Sequence, residues 1–149
     1  MEATGWVLAL LAAVVLVMIS GLHVYWALGG VWPGHDGPSL AQRVFGGPPG
    51  TPLPAVGACL AVAALLLLAA WTVIGAAWPW WMLPAAGLWR LGAWGVAGVL
   101  ALRGGLGFFD TRLRPAIVGS PFVRLNRLVY SPLCLGLGLC IGAALLIQP

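Results

Sequence analysis

Lysine is missing from this sequence, and acids nearly so. The 149 residues carry seven basic side chains, all Arg, and three acidic ones, Glu2, Asp36 and Asp110. Charged residues make up 7% of the chain, against about 25% in a soluble domain. That shortage excludes a water-soluble globular fold. It excludes disorder as well, whose signature is high charge with low hydrophobicity. Three acids leave almost no room for a two-carboxylate mechanism or a carboxylate metal cluster. An ion-coupled transporter, which wants buried acids and usually a repeat of broken helices, is disfavoured. The net charge of +4 comes without a Lys-rich run or a basic–aromatic strip, so no nucleic-acid partner is expected.

Sulfur and catalytic motifs are equally sparse. Cys59, Cys134 and Cys140 form no C-x-x-C pair, and no His or carboxylate stands around them at metal-ligand spacing. They read as small apolar packing residues. No H-E-x-x-H, G-x-S-x-G or P-loop occurs. No metal, no cofactor and no catalytic residue is therefore predicted, and whether the chain is an enzyme stays open.

What is present is apolar: 62% of the residues are hydrophobic. A membrane-crossing helix needs about 20 mostly apolar residues. Four stretches offer one, at about 5–27, 54–77, 84–102 and 128–147, within one membrane domain over 1–149. The fold expected is all-α, a polytopic bundle of four transmembrane helices. The first stretch is too long for a signal-peptide core and lacks a basic leader, so it reads as a retained helix. Residues 32–54 hold six Pro and five Gly, which exclude a continuous helix; 39–45 can make one short interfacial turn. Trp78, Trp80 and Trp81 mark an interface before the third stretch.

The third stretch is the least regular. Between Arg90 and Arg103 lie twelve residues, about 18 Å of helix, short of a hydrocarbon core of about 30 Å. One of the two Arg must snorkel from within the span. Gly104, Gly105 and Gly107 weaken an extension past Arg103, which favours 84–102. Before the fourth stretch, Ser120 and Pro121 read as the N-cap and first residue of a short interfacial helix.

Orientation follows from Arg. The two long connections hold six (Arg43, Arg103, Arg112, Arg114, Arg124 and Arg127), and the other face holds Arg90 alone. Positive charge stays inside, so both long connections should be cytoplasmic and both termini outside. Gly138 and Gly142 form a G-x-x-x-G pair, and Ala93, Ala97 and Ala101 a small-residue stripe; both suit close helix packing within the bundle.

Few side chains can carry chemistry. His23 is the one histidine inside a predicted span, near its cytoplasmic end, and reads as a proton acceptor, a haem ligand or a hydrogen-bond donor to a quinone or lipid head group. Asp110 and Arg114 are four apart and would form an ion pair on a helix. Arg124 and Arg127 share a face and can meet lipid phosphates or a phosphate-bearing ligand. Tyr25 and Tyr130 lie close by in sequence. A site for a lipid-like molecule would gather His23, Tyr25, Arg124, Arg127 and Tyr130 where the cytoplasmic helix ends meet.

Two stretches carry a family resemblance. His23-Val24-Tyr25-Trp26-Ala27-Leu28-Gly29-Gly30-Val31-Trp32 is similar to the histidine–tryptophan–Gly-Gly motif that opens the bacterial membrane family called domain of unknown function 3995. Residues 119–134, from Gly119-Ser120-Pro121-Phe122 through Arg124, Arg127 and Tyr130 to Cys134, resemble its C-terminal motif. The resemblance covers the whole chain in order and length. It departs at Asn126, where the family pattern often has Asp. It implies a four-helix membrane architecture and no catalytic residues. The function expected is that of an accessory or scaffold protein of the bacterial inner membrane, touching lipids and another membrane protein. The alternative is a binder or enzyme for an isoprenoid, quinone or phospholipid.

Overall fold

Runs of Ala and Leu favour the helix, since both are strong helix formers. The structure is a computed structural model that describes residues 2–48, 50–78 and 86–147. It is all-α, with no strand among the described residues. The helices are α1 (Glu2–Ala27), α2 (Gly37–Val44), α3 (Val56–Ala77), α4 (Ala86–Gly107), α5 (Asp110–Leu113), α6 (Pro121–Leu125) and α7 (Ser131–Ile147). A 3-10 turn covers Pro115–Ile117, and a wide π turn at Asn126–Tyr130 joins α6 to α7.

Three helices are long and apolar enough to cross a membrane: Ala3–Ala27, Val56–Ala77 and Pro121–Ile147. The fourth long helix, α4, has 22 residues, as many as α3, but carries Arg90 and Arg103 and does not join those three. It also differs from the expected 84–102. Its first expected residues, with Trp80 and Trp81 of the connection, fall outside the described residues. Its C-terminal end runs on through Arg103, Gly104 and Gly105 to Gly107. Glycine is a poor helix former, yet here it permits contact. A Cβ on Gly104 would stand 2.8 Å from the Ser131 carbonyl oxygen and the Leu135 amide nitrogen, so helix pairing decides the end of α4.

The short helix expected before the last span is likewise not separate. α6 continues through the π turn into α7 as one helix of 27 residues. The wide turn ends two residues before Pro132, which has no amide to donate and whose ring crowds the carbonyl four residues back. There the Ser131 amide donates to Asn126 O, a five-residue step.

The four long helices form a closed ring of neighbours, α1 beside α3, α3 beside α4, α4 beside α7 and α7 beside α1. Their registers run antiparallel. Trp6 meets Trp78 edge to face at 5.7 Å, and Ser20 Oγ donates to Ala63 O at 2.9 Å. Gly75 packs under Trp89, and Gly92 against Thr72. Gly138 faces Ala97 and Ala101, so the two small-residue stripes pack on each other. A Cβ on Gly138 would lie 2.9 Å from the Ala97 carbonyl oxygen.

The interior is made of small side chains: Ala9, Ala12, Ala70, Ala93, Ala97 and Ala144 pack around Leu16 and Ile141. Many large apolar residues point outward. Met18, Leu65, Leu68, Leu91, Val99, Leu139 and Leu146 are 61% to 74% exposed.

Candidate functional site

Antiparallel pairing brings both long connections to one end of the ring, where they touch. Arg114 Nη1 donates to Phe45 O at 3.4 Å, and Tyr130 Oη to Arg43 O at 3.4 Å. Gly46 backs onto Ile117 and Phe122. α2 holds its place through a capping box. Asp36 Oδ1 accepts from the Ser39 amide at 2.8 Å, and the Asp36 and His35 amides donate to Ser39 Oγ. The Ser39 amide, and after it the Ser39 side chain, hold the exposed Asp36 carboxyl below its ordinary value.

Where α4 ends and the last helix begins, a polar knot forms around Asn126, which is 1% exposed. Its Nδ2 donates to Gly107 O at 2.7 Å and to Asp110 Oδ2 at 2.8 Å. Its Oδ1 accepts from Arg103 Nη2 at 3.1 Å and from Ser131 Oγ at 3.3 Å. Arg114 Nη2 reaches the same Asp110 oxygen at 3.3 Å, and its guanidinium lies 5.2 Å from the Phe122 ring centre. Both donors and both lone pairs of the Asn126 amide are thereby engaged. Gly107 makes room: a Cβ there would collide with Ser131 Oγ and approach Arg103.

The other Arg of α4 is also held. Arg90 Nη2 donates to Leu145 O at 2.9 Å, in the last turn of α7. The last carbonyls of a helix have no partner within it and attract cations.

His23 lines an apolar cleft of about 200 Å³ bounded by α1, α2, α3 and the end of the first connection. Trp26, Leu40, Phe45, Leu53 and Cys59 are among its walls. His23 Nδ1 lies 2.8 Å from Ile19 O. A carbonyl only accepts, so Nδ1 bears a proton, and in the neutral tautomer Nε2 is then the acceptor. Trp26 packs edge to face on the imidazole at 4.9 Å, and its own N–H goes to Trp32 O at 2.7 Å.

Arg124 and Arg127 line a different hollow, an open groove of about 440 Å³ with Gly119, Ser120, Val123 and Leu128. The two hollows share no lining residue. Ser120 occupies the N-cap position, but its side chain makes no capping bond, and its buried Oγ has no partner among the described residues. Arg127 touches Thr111 Oγ1 at 3.4 Å. Tyr130 packs on Phe122 at 6.2 Å, between the connections. Tyr25 is exposed, its ring over Gly30, and lines neither hollow. The five residues expected around one lipid-like ligand are thus distributed over separate surfaces. Asp110 and Arg114 do stand within ion-pair distance, one helical turn apart.

The sequence gives the Asp110–Arg114 edge of the knot but not its centre. The signal for the centre is Asn126, a neutral amide at a position where the resembling family often has Asp. No group of three potential metal ligands occurs among the described residues. The three cysteines are free thiols, Cys59 buried.

No curated protein and no solved structure matches this chain. The family described as "Protein of unknown function (DUF3995)" matches residues 16–141, a stretch that holds the His23 cleft, the Asn126 knot and the arginine groove, and the chain belongs to that family.

Proposed function

We propose that the chain is an integral membrane protein of four crossings and acts as an accessory or scaffold protein in the bacterial inner membrane. One observation carries the membrane part. Alanine predominates in the packed interior while many large apolar residues lie exposed on the outside, unlike a soluble protein. Helix pairing in lipid depends on close backbone contact, which Gly138 against Ala97 supplies. Counting α4 as a crossing is supported by its length and its antiparallel register with α3 and α7. Its two Arg have partners at opposite ends of the helix, Leu145 O and Asn126 Oδ1. The Arg surplus of the long connections supports a cytoplasmic position for both, and an outer position for the opposite helix ends.

The accessory role is supported by the use of polar groups for structure: the Asn126 knot is engaged in holding helix ends and a loop together. Purification in mild detergent, followed by mass spectrometry of protein and small molecules, tests it. A stoichiometric membrane-protein partner is expected. A monomer that carries a stoichiometric small molecule and no partner would contradict it.

One observation favours a second reading, a binder of a lipid-like molecule. The cleft at His23 is apolar, bounded by three helices and a loop, and offers an imidazole. An isoprenoid, a quinone or part of a phospholipid has the matching apolar character.

A further inference from the structure

We infer that the His23 cleft is a binding site for a phenolic ring, the head of a quinol-type or similar hydroxylated aromatic lipid. This rests on the ligand-binding reading and names its ligand chemistry. The cleft measures about 200 Å³. A dry apolar cavity of about 150 Å³ takes up benzene, so the cleft has room for one substituted ring.

The walls set the chemistry. The Trp26 N–H is engaged by Trp32 O, so the indole offers ring surface. Phe45 adds a second ring, and Leu40, Leu53 and Val62 add aliphatic surface. Cys59 contributes a thiol, a weak donor and weak acceptor. The strong polar group among the walls is the His23 imidazole, and with Nδ1 turned to Ile19 O we take Nε2 as the acceptor that a ligand meets. A ligand there must be apolar, flat and equipped with a hydrogen-bond donor. A phenol hydroxyl directed at Nε2 meets all three conditions, whereas an unhydroxylated hydrocarbon leaves Nε2 unpaired and a quinone carbonyl would set acceptor against acceptor.

The test uses the full chain in micelles, with ¹⁵N-labelled histidine, titrated with p-cresol and separately with toluene. The chain has two histidines, and the His35→Gln variant identifies the His23 signals. The expected result is tighter binding of p-cresol, by a few-fold to roughly tenfold, the range of one net hydrogen bond. A shift of the His23 Nε2 resonance should accompany p-cresol alone. His23→Phe should erase the preference, and Val62→Trp, which fills the cleft, should remove both ligands. If His23→Phe fails to fold, the Nε2 shift in the parent chain still decides. Equal binding of both ligands with no Nε2 shift overturns the phenol assignment and leaves an apolar ligand site standing. Binding of neither, or binding that survives Val62→Trp, overturns the ligand-binding reading as well.

Discussion

Asn126 donates its side-chain amide to Asp110 Oδ2 at 2.8 Å, and this bond ties the last helix to the single turn of α5. The same nitrogen reaches Gly107 O, and the oxygen of the amide takes Arg103 and Ser131. A donor and an acceptor are both needed at this point, because acceptors lie on one side and donors on the other. An amide provides them, and an ionised carboxylate does not.

Asn126→Asp should therefore destabilise the protein. It removes the donors to Gly107 O and Asp110 and sets two carboxylates together. A loss of at least roughly 1–3 kcal/mol is expected, the cost of leaving a buried polar group unsatisfied. Asp110→Asn, added to that variant, should recover part of the loss by returning an amide opposite the new acid. Unfolding midpoints in mixed micelles measure the cycle. Strict additivity of the two changes would count against a direct Asn126–Asp110 bond.

Glycine at the α4–α7 contact gives a second test. Gly138→Leu drives a side chain toward the Ala97 carbonyl and should cost roughly 1–3 kcal/mol, as overpacking does. Gly136→Ala lies two residues away, where a Cβ meets nothing within 4 Å, and should change stability little. Equal effects of the two would mean that α7 does not present Gly138 to α4.

The cap of α2 should depend on pH in a defined direction. The Asp36 carboxyl is held below its ordinary value in the folded chain, so its charged form favours folding. That contribution is complete above the ordinary carboxylate value of 3.8 and fades as pH falls through the lower folded-state value. Hydrogen exchange at the Ser39 and Leu40 amides, corrected for intrinsic rates, should lose protection in that acid window. Asp36→Ala should show the loss at neutral pH, and Asp36→Asn should largely retain the cap. Protection unchanged in Asp36→Ala would show that the cap does not hold α2.

Parts of this structure were legible in the sequence because they depend on neighbouring residues. α1 and α3 follow from uninterrupted apolar runs, and the short turn expected at 39–45 falls on α2, whose start at Gly37 and cap at Asp36 only the structure shows. The end of α4 was not legible, since Gly104 and Gly107 are poor helix formers until Ser131 and Leu135 lie against them. The Asn126 knot joins residues 5 to 23 positions apart, and a single neutral amide does not announce such partners. His23 stood out as a histidine in an apolar run. Its cleft did not, because Leu40, Phe45 and Leu53 come from a Pro-rich connection whose path back over α1 and α3 leaves no periodic signal.

Cysteine labelling in intact cells tests the four-crossing membrane account most directly. Cys59, Cys134 and Cys140 are first replaced by Ala, and Trp80→Cys or Thr111→Cys is then introduced separately. Five Arg lie in the single connection from Arg103 to Arg127, and each would cost roughly 2.5–3.5 kcal/mol at the membrane centre, with the membrane potential opposing its export. An impermeant thiol reagent should therefore label Trp80→Cys from outside, and Thr111→Cys only after the membrane is opened. Labelling of Thr111→Cys in intact cells would contradict both the crossing by α4 and the orientation.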